Sequence, residues 1–188
     1  MKYTGVNHVA FATSDMDMTI RYWRDLLGMR IIAAMGKQGY KQYFFEISER
    51  DMLVFFEWPE VEPIAEKEHG VPAKGPFGFD HFSLGLEDDD DLFRMRDAIE
   101  AAGFWVSEPI DHGFIHSIYT FDPNGIALEF SIYAGRDIRA RPIEEDRTPP
   151  ESLGAGLEPV HGRWTSPPSG GRPEHRTLYP GMGSEFAK

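Results

Sequence analysis

An internal repeat is the feature of this 188-residue sequence that most limits how the chain can fold. Residues 5–17 (GVNHVAFATSDMD) align without a gap with residues 78–90 (GFDHFSLGLEDDD). Both segments begin with Gly-x-x-His, continue as an apolar strand and enter the acidic start of a helix. Self-similarity at a fixed offset indicates a duplicated structural unit, so the sequence predicts two modules of the same fold.

Each module has the pattern of a βαβββ unit. Apolar residues recur at helical spacing after each first strand: Ile20, Trp23 and Leu27 in one copy, Leu92, Met95, Ile99 and Ala102 in the other. Gly28 and Gly103 predict the helix ends. Three runs typical of strands then follow, at residues 29–35, 41–47 and 52–58 in the first copy and at 104–107, 114–121 and 126–132 in the second.

The pattern divides the chain into one domain and a tail. Module one spans residues 4–58, a proline-rich linker spans 59–77 and module two spans 78–134, all within a domain of residues 1–136. The remaining residues, 137–188, contain eight of the 14 prolines and few apolar clusters, which predicts an extended C-terminal arm. Trp164 and Tyr179 are the residues expected to anchor it.

Composition limits the chemistry and the partners. The chain has no cysteine, so His, Asp and Glu are the side chains left to bind a metal. The net charge of −12 gives a field that repels nucleic acid and anionic membrane surfaces, so we expect neither as a partner. No secretory leader and no run of about 20 apolar residues is present, which predicts a cytoplasmic protein.

Strand alternation gathers three candidate metal ligands on faces made of small residues. His8 shares its strand face with Ala10 and Ala12, His81 with Ser83 and Gly85, and Glu129 with Ala127 and Ser131. A single strand histidine is usually structural, but equivalent placement in a duplicated unit favours a shared role. The pattern predicts a concave face on which His8, His81 and Glu129 form a facial triad around one divalent cation.

These residues resemble the vicinal-oxygen-chelate superfamily, which includes glyoxalase I, fosfomycin-resistance enzymes, bleomycin-binding proteins and extradiol dioxygenases. The resemblance spans residues 4–134 and rests on the paired units, the RYWRDLLGM helix end and the DPNGIALEF strand. It implies an α+β fold, with two paired βαβββ modules forming a curved mixed sheet around a metal-lined cleft. It also implies that His8, His81 and Glu129 are the ligands, that the substrate is a small molecule and that the protein is a homodimer, with sites built within one chain or across two.

Two subfamilies are distinguished by particular residues. Glyoxalase I has a fourth ligand, and aligning ERDMLVFFEW with PNGIALEFSI places Phe55 opposite Glu129. Glu57 lies two residues further on, so a shifted fourth ligand stays open, although three ligands are expected. Fosfomycin enzymes share a motif that His116 and Ser117 begin, but they bring basic residues to a phosphonate. No Lys or Arg lies between Gly103 and Arg136.

The segment IDHGFIHSIYTFDPNGIALE resembles the signature of the extradiol ring-cleaving dioxygenases. That resemblance implies Fe(II) and a catechol-like substrate. It also implies that Tyr119 donates to a substrate oxygen and that His112 or His69 is the acid–base group. The function predicted here is therefore an extradiol-type dioxygenase.

Two alternatives remain at this stage. The first is a glyoxalase-like lyase, isomerase or thiol transferase that uses Zn, Ni, Mn or Mg as a Lewis acid. The second is an aromatic drug-binding resistance protein without chemistry, for which the aromatic residues Trp58, Phe55, Trp105 and Phe114 would line the cleft.

Overall fold

A computed structural model describes residues 3–74, 79–135, 137–162, 178–180 and 184–186 of the chain. The chain divides into two compact units, Met1–Ile138 and Arg139–Lys188. The repeat lies wholly within the first unit. Among the described residues of the second unit are two short 3-10 helices, Glu151–Ala155 and Ser184–Phe186.

Module one folds as strand, helix and three strands. Its elements are β1 His8–Thr13, α1 Met16–Ile20 with a π-helical continuation Arg21–Leu26, β2 Ile31–Lys37, β3 Tyr40–Glu46 and β4 Met52–Glu57. The sheet order is β1-β4-β3-β2. β1 runs parallel to β4, and the other pairs are antiparallel.

Module two repeats this topology. Its elements are β5 Phe82–Gly85, α2 Asp89–Ala101, β6 Ile110–Asp111, β7 Ile115–Phe121 and β8 Ala127–Tyr133. The sheet order is β5-β8-β7-β6, with β5 parallel to β8. Two four-stranded mixed sheets with one helix each confirm the predicted α+β class and the βαβββ repeat. The metal-lined cleft stays a prediction at this level of description.

One strand prediction is wrong. Residues 104–107 were expected to form the second strand of module two, but β6 lies at Ile110–Asp111 and Val106 makes only an isolated bridge to Thr120. The reason is packing, because the ring of Phe104 lies edge-on to Tyr22 of the first helix, 4.9 Å between centroids. Phe104 and Val106 pack against the core, whereas Trp105 is 58% exposed, so strand pairing does not explain the apolar character of this run.

Side-chain caps and glycines define both helices. Asp15 accepts a hydrogen bond from the backbone N of Met18 at 2.9 Å, and Asp88 does the same for Asp91 at 2.9 Å. Gly28 and Gly103 end the helices with positive φ of 76° and 86°. The predicted helix ends are therefore confirmed, and the acidic run at the start of α2 lies where the helix dipole favours negative charge.

The core lies where the helices cover the sheets, and it joins the two modules. Its largest fully buried members come from both repeats: Trp23, Tyr22, Phe45, Phe55, Phe130, Leu53, Leu92, Ile99, Ile118, Ile126 and Leu128. The buried Nε1 of Trp23 donates to Asp122 Oδ2 at 3.1 Å, which links the first helix to the β7–β8 hairpin. Burial raises the pKa of Asp122, and the hydrogen bonds that this carboxylate accepts oppose that rise.

The linker crosses the β7–β8 hairpin at close range. Ile64 N donates to Asn124 O at 2.8 Å. Gly125 has φ of +75°, and a Cβ there would lie 2.0 Å from Ile64 O. Only glycine therefore allows the linker backbone to pass at this distance.

Two further observations concern the tail and the helices. Tyr179 is 84% exposed in the single chain, and Trp164 lies outside the described residues, so anchoring of the tail by these two residues stays a prediction. Within the described ranges, neither helix of the first unit nor the short 3-10 helices have the length and hydropathy that crossing a bilayer requires.

Candidate metal centre

The open face of the second sheet carries the polar residues of the candidate site. Glu129 on β8 lies between Ser83 on β5 and Tyr119 on β7 in the strand register. The neighbours of Glu129 along the strand, Leu128 and Phe130, are buried in the core. The alternation predicted from the sequence is therefore confirmed for this strand.

Glu129 and His81 lie within hydrogen-bond distance of each other. His81 Nε2 is 3.0 Å from Glu129 Oε2. Glu129 is only 6% exposed, and its other oxygen, Oε1, accepts from the hydroxyls of Ser117 at 2.5 Å and Tyr119 at 3.3 Å. Burial by itself raises the pKa of this carboxyl, but the hydroxyl hydrogen bonds and His81 together hold the pKa below its ordinary value. Glu129 is therefore a buried carboxylate that stays ionised.

His81 lies between two carboxylates. Its Nδ1 is 2.7 Å from Asp80 Oδ1, and its Nε2 is 3.0 Å from Glu129 Oε2. An ionised carboxylate can only accept a hydrogen bond, so donation from Nδ1 to Asp80 leaves Nε2 as the nitrogen that could bind a cation together with Glu129.

This donor set fits a divalent metal ion. One imidazole nitrogen and one carboxylate oxygen about 3 Å apart match two ligands of a single ion with bond lengths of about 2.0–2.2 Å. Metal-binding histidines ordinarily donate their other ring N–H to a carboxylate or carbonyl, as His81 Nδ1 does to Asp80. Imidazole and carboxylate ligands suit Fe(II), Zn, Ni and Mn, and these ions can be bound without a cysteine thiolate.

His8 lies apart from this pair within one chain. It begins β1 on the first sheet, is exposed, and its ring lies edge-on to Phe44, 6.3 Å between centroids. Among the described residues, no group of three or more His, Asp or Glu side chains that could hold an ion is found. A single chain therefore brings together two of the three expected ligands, and ligation by His8 stays a prediction.

The two histidines nevertheless have the same local support. Asn7 precedes His8 and holds its Nδ1 at 2.8 Å from Asn7 Oδ1, as Asp80 precedes His81 and holds its Nδ1. In both imidazoles Nδ1 is held by the preceding side chain, so Nε2 is the nitrogen that could bind a metal ion. The sequence analysis did not single out Asn7 and Asp80, although the repeat places an Asn or Asp directly before each histidine, in Gly-x-Asn-His and Gly-x-Asp-His.

The position expected for a fourth ligand needs correction. Ala10 pairs with Val54 as Ser83 pairs with Glu129, so Val54, not Phe55, is the structural equivalent of Glu129. Phe55 is fully buried against the helix, which the sequence alignment could not reveal. Glu57 accepts from Met16 N at 3.2 Å and pairs with Lys41, so its carboxylate caps the first helix.

A cavity of about 690 Å³ opens beside His81. All three residues predicted to be catalytic, Tyr119, His112 and His69, line it together with His81. His112 Nε2 lies 2.9 Å from the hydroxyl of Tyr119. Burial, followed by the nearby charge of Glu129, raises the pKa of Tyr119, so its hydroxyl stays protonated near neutral pH.

The linker brings His69 to this cavity. Its ring centroid is 4.8 Å from that of Tyr119 and 5.8 Å from that of His81. Burial and the charge of His81 lower the pKa of His69, so its imidazole is neutral near pH 7. Its Nε2 is buried, and no hydrogen bond to it is found in the part of the chain that the structure describes.

The fold also places other side chains that the sequence singled out. His116 lies on β7 and pairs with Asp89 on the helix side of the sheet. Of the aromatic residues expected to line a drug cleft, Phe55 is in the core, whereas Trp105 lines the cavity. Trp105 and Phe121 form its aromatic wall, 5.6 Å between centroids.

Comparisons with known proteins agree with the fold. A lactoylglutathione lyase of Haemophilus influenzae is 24% identical over 132 residues, which are 65% of this chain and 88% of that protein. A probable lactoylglutathione lyase of Vibrio parahaemolyticus is 23% identical over 131 residues, 65% of this chain and 86% of that protein. A crystal structure of a glyoxylase/bleomycin resistance protein/dioxygenase domain from Frankia sp. superposes with a TM-score of 0.60 at 20% identity, covering 71% of this chain and 100% of that one.

The family model matches more of the chain than either module alone. It covers residues 5–130, from the start of the first repeat to the strand that carries Glu129. The match takes in nearly all of both modules, and His81 and Glu129 both fall inside it. The chain therefore belongs to the Glyoxalase/Bleomycin resistance protein/Dioxygenase superfamily.

Proposed function

We propose that this protein is a metal-dependent extradiol-type dioxygenase that acts on a catechol-like substrate. The observation that carries the proposal is the position of Tyr119. Its hydroxyl lies 2.9 Å from His112 Nε2 and 3.3 Å from Glu129 Oε1, on the wall of the cavity that His69 also lines. A diol bound beside His81 and Glu129 would therefore meet one hydroxyl donor and two imidazoles.

Each residue of the site has a separate role in this proposed reaction. A bound divalent metal, Fe(II) for preference, would hold the vicinal oxygens of the substrate and supply the redox chemistry with dioxygen. Glu129 remains ionised and is held in place by the Ser117 hydroxyl. His69, neutral near pH 7, accepts a proton from a substrate hydroxyl, and Tyr119 donates a hydrogen bond to a substrate oxygen. His112 Nε2 lies 2.9 Å from the Tyr119 oxygen and would orient this hydroxyl toward the substrate.

The third ligand in this proposal is His8 of a second copy of the chain. His8 is exposed at the start of β1, and Asn7 orients it as Asp80 orients His81. Its small-residue neighbours Ala10 and Ala12 leave room beside it on the open face of the first sheet. A homodimer that faces this sheet against the second sheet of the partner would complete the triad.

The charges around the cavity favour an uncharged substrate. Lys67 is the only lysine or arginine among its described lining residues, and its ammonium is paired with Asp80 at 2.6 Å. Glu66 and Glu68 also line the cavity. A ligand with carboxylate or phosphonate groups would be repelled, whereas a neutral catechol would stack on Trp105 and Phe121.

The second candidate is a glyoxalase-like lyase that uses Zn, Ni, Mn or Mg as a Lewis acid. The two relatives named as lactoylglutathione lyases favour it. Against it stands the charge of the cavity, since glutathione carries two carboxylates and no unpaired cation is found among the described lining residues.

Anaerobic purification with metal analysis, followed by oxygen uptake, separates these functions. The proposal predicts about one iron per chain and oxygen consumption with 4-methylcatechol that yields a yellow ring-opened product. Turnover of a glutathione hemithioacetal with zinc or nickel, and none of catechols with iron, would establish the second candidate. Tight binding of aromatic drugs by a metal-free protein, with no metal at stoichiometric occupancy after loading, would establish a resistance protein.

A further inference from the structure

We infer that Asp80 is a positioning residue with two simultaneous roles, which ties the linker over the cavity to the metal ligand His81. The strap is defined here as residues 64–70, the part of the linker that carries His69. The metal-binding role of His81 and the role of His69 as a base rest on the proposed function. The contacts of Asp80 do not depend on which reaction occurs at the site.

The strap is docked at both ends. At its start, Ile64 N donates to Asn124 O at 2.8 Å on the β7–β8 hairpin. At its end, Gly70 N donates to Asp80 Oδ1 at 2.8 Å. Between these points Lys67 Nζ donates to Asp80 Oδ2 at 2.6 Å, and the Lys67 side chain is only 18% exposed. Asp80 therefore holds the strap by one backbone and one charged hydrogen bond.

The same carboxylate holds the ligand. His81 Nδ1 lies 2.7 Å from Asp80 Oδ1, the oxygen that also accepts from Gly70 N. His69 lies between the two docking points, with its ring 5.8 Å from that of His81. The ligand and the proposed base are thus held at a fixed separation by one side chain.

The internal repeat provides a natural comparison for the two roles. At the equivalent position in module one, Asn7 holds His8 Nδ1 at 2.8 Å. An amide oxygen is therefore sufficient to orient the imidazole. A carboxylate at position 80 supplies what an amide does not, a negative charge that pairs with Lys67 and a second oxygen that accepts.

The two roles can be separated by substitution. Asp80→Asn should keep both contacts of Oδ1, to His81 Nδ1 and to Gly70 N, and lose the ion pair with Lys67, which weakens the strap. Asp80→Ala should lose all three contacts. Lys67→Met should loosen the strap alone. Lys74→Met, a change at an exposed linker residue outside these contacts, is the matched control.

Two measurements that do not depend on enzyme activity report the two roles of Asp80 separately. Amide hydrogen exchange of the metal-free protein reports the strap, with Gly70 N as the sensitive amide and Ile64 N as the internal reference. Competition with a chelator for Zn²⁺ reports the ligand. Loss of the carboxylate that orients a metal-binding histidine ordinarily costs about 10–100-fold in metal affinity.

We expect Gly70 exchange to rise about tenfold or more in Asp80→Ala, which removes the acceptor of Gly70 N. We expect a smaller but measurable rise in Lys67→Met and Asp80→Asn, which lose only the Lys67 ion pair, with Lys74→Met unchanged. We expect Zn²⁺ affinity to fall about 10–100-fold only in Asp80→Ala, and to change by less than about threefold in the others. Unchanged Gly70 exchange in both Lys67→Met and Asp80→Asn would overturn the inference, as would a loss of Zn²⁺ affinity in Lys67→Met as large as that in Asp80→Ala. Should Asp80→Ala not fold, the other two variants still decide it.

The outcome is distinguishable from failure of the proposed function. A wild-type protein that consumes no oxygen with any catechol would remove the dioxygenase assignment. The exchange and Zn²⁺ measurements would still decide whether Asp80 ties the strap to His81.

Discussion

The Tyr119 hydroxyl is the group in this site whose chemical role can be tested most simply. Its hydroxyl contacts His112 Nε2 and Glu129 Oε1 but is not expected to be a ligand. Removing that oxygen takes away a donor to the substrate and leaves the strand position occupied by an aromatic ring. The change therefore separates proton handling from metal binding.

Tyr119→Phe should lower kcat for catechol cleavage by about 100-fold, because one general acid–base contact contributes on this scale. Iron content should stay near that of the wild type. Steady-state oxygen uptake with parallel metal analysis measures both. An equal loss of iron and activity would show that Tyr119 acts through the metal site instead.

His116 gives a prediction about pH that is independent of the cavity. The hydrogen bond to Asp89 raises the pKa of His116 above its ordinary value of 6.5, although burial acts in the opposite direction. Asp111 also faces this ring, with Oδ1 3.6 Å from Nε2. Because the folded-state pKa is raised, the stabilisation is fully present below pH 6.5 and is lost as pH rises through the folded-state pKa.

His116→Gln should therefore lower the melting temperature at about pH 5.5 and leave it unchanged at about pH 9. Thermal unfolding at both pH values measures the difference. His161→Gln, at an exposed position in the second unit, serves as the control. A deficit that is equal at both pH values would contradict the role given to the Asp89 pair.

At the scale of elements, the repeat and the strand alternation predicted most of what positions the site. The faces of β8 and the ends of both helices follow from local patterns, and these were confirmed. The location of β6 and the equivalence of Val54 with Glu129 were not predictable, because both depend on how strands pair across the sheet. The docking of the linker on the hairpin likewise depends on a tertiary contact that no periodicity records.

The crossing of linker and hairpin gives the prediction at this scale. Gly125→Ala places a Cβ 2.0 Å from Ile64 O in a backbone with φ of +75°. Gly39→Ala faces nearly the same φ, +76°, with nothing within 4 Å of the added atom. Both should lose about 1 kcal/mol of unfolding free energy for the positive φ, and Gly125→Ala about 1–3 kcal/mol more for the clash.

Urea denaturation of the two variants measures this difference directly. Hydrogen exchange should also increase at Ile64 N in Gly125→Ala only, because the strap loses its first docking point. Equal destabilisation in the two variants would mean that the close approach of linker and hairpin is not maintained in solution.

At the scale of the whole molecule, the two modules are joined through the core while their open faces carry separate halves of the expected site. Trp23 of the first helix donates to Asp122 on the hairpin of the second module, and the buried core contains residues of both modules. His8 belongs to the open face of one sheet, and His81 and Glu129 belong to the other. The repeat predicted His8 and His81, and strand alternation predicted Glu129, but which chain would supply His8 is a property of assembly that the sequence does not encode.

The central claim is that His8 of one copy joins His81 and Glu129 of another around one metal ion. The most direct test is the metal content of a purified heterodimer in which one chain carries His8→Ala and the other Glu129→Ala. If sites form across the two chains, one site in this heterodimer has all three ligands and the other lacks two, so we predict about one tightly bound ion per heterodimer and almost none in either homodimer. A heterodimer that binds no more metal than the two variant homodimers would contradict the account.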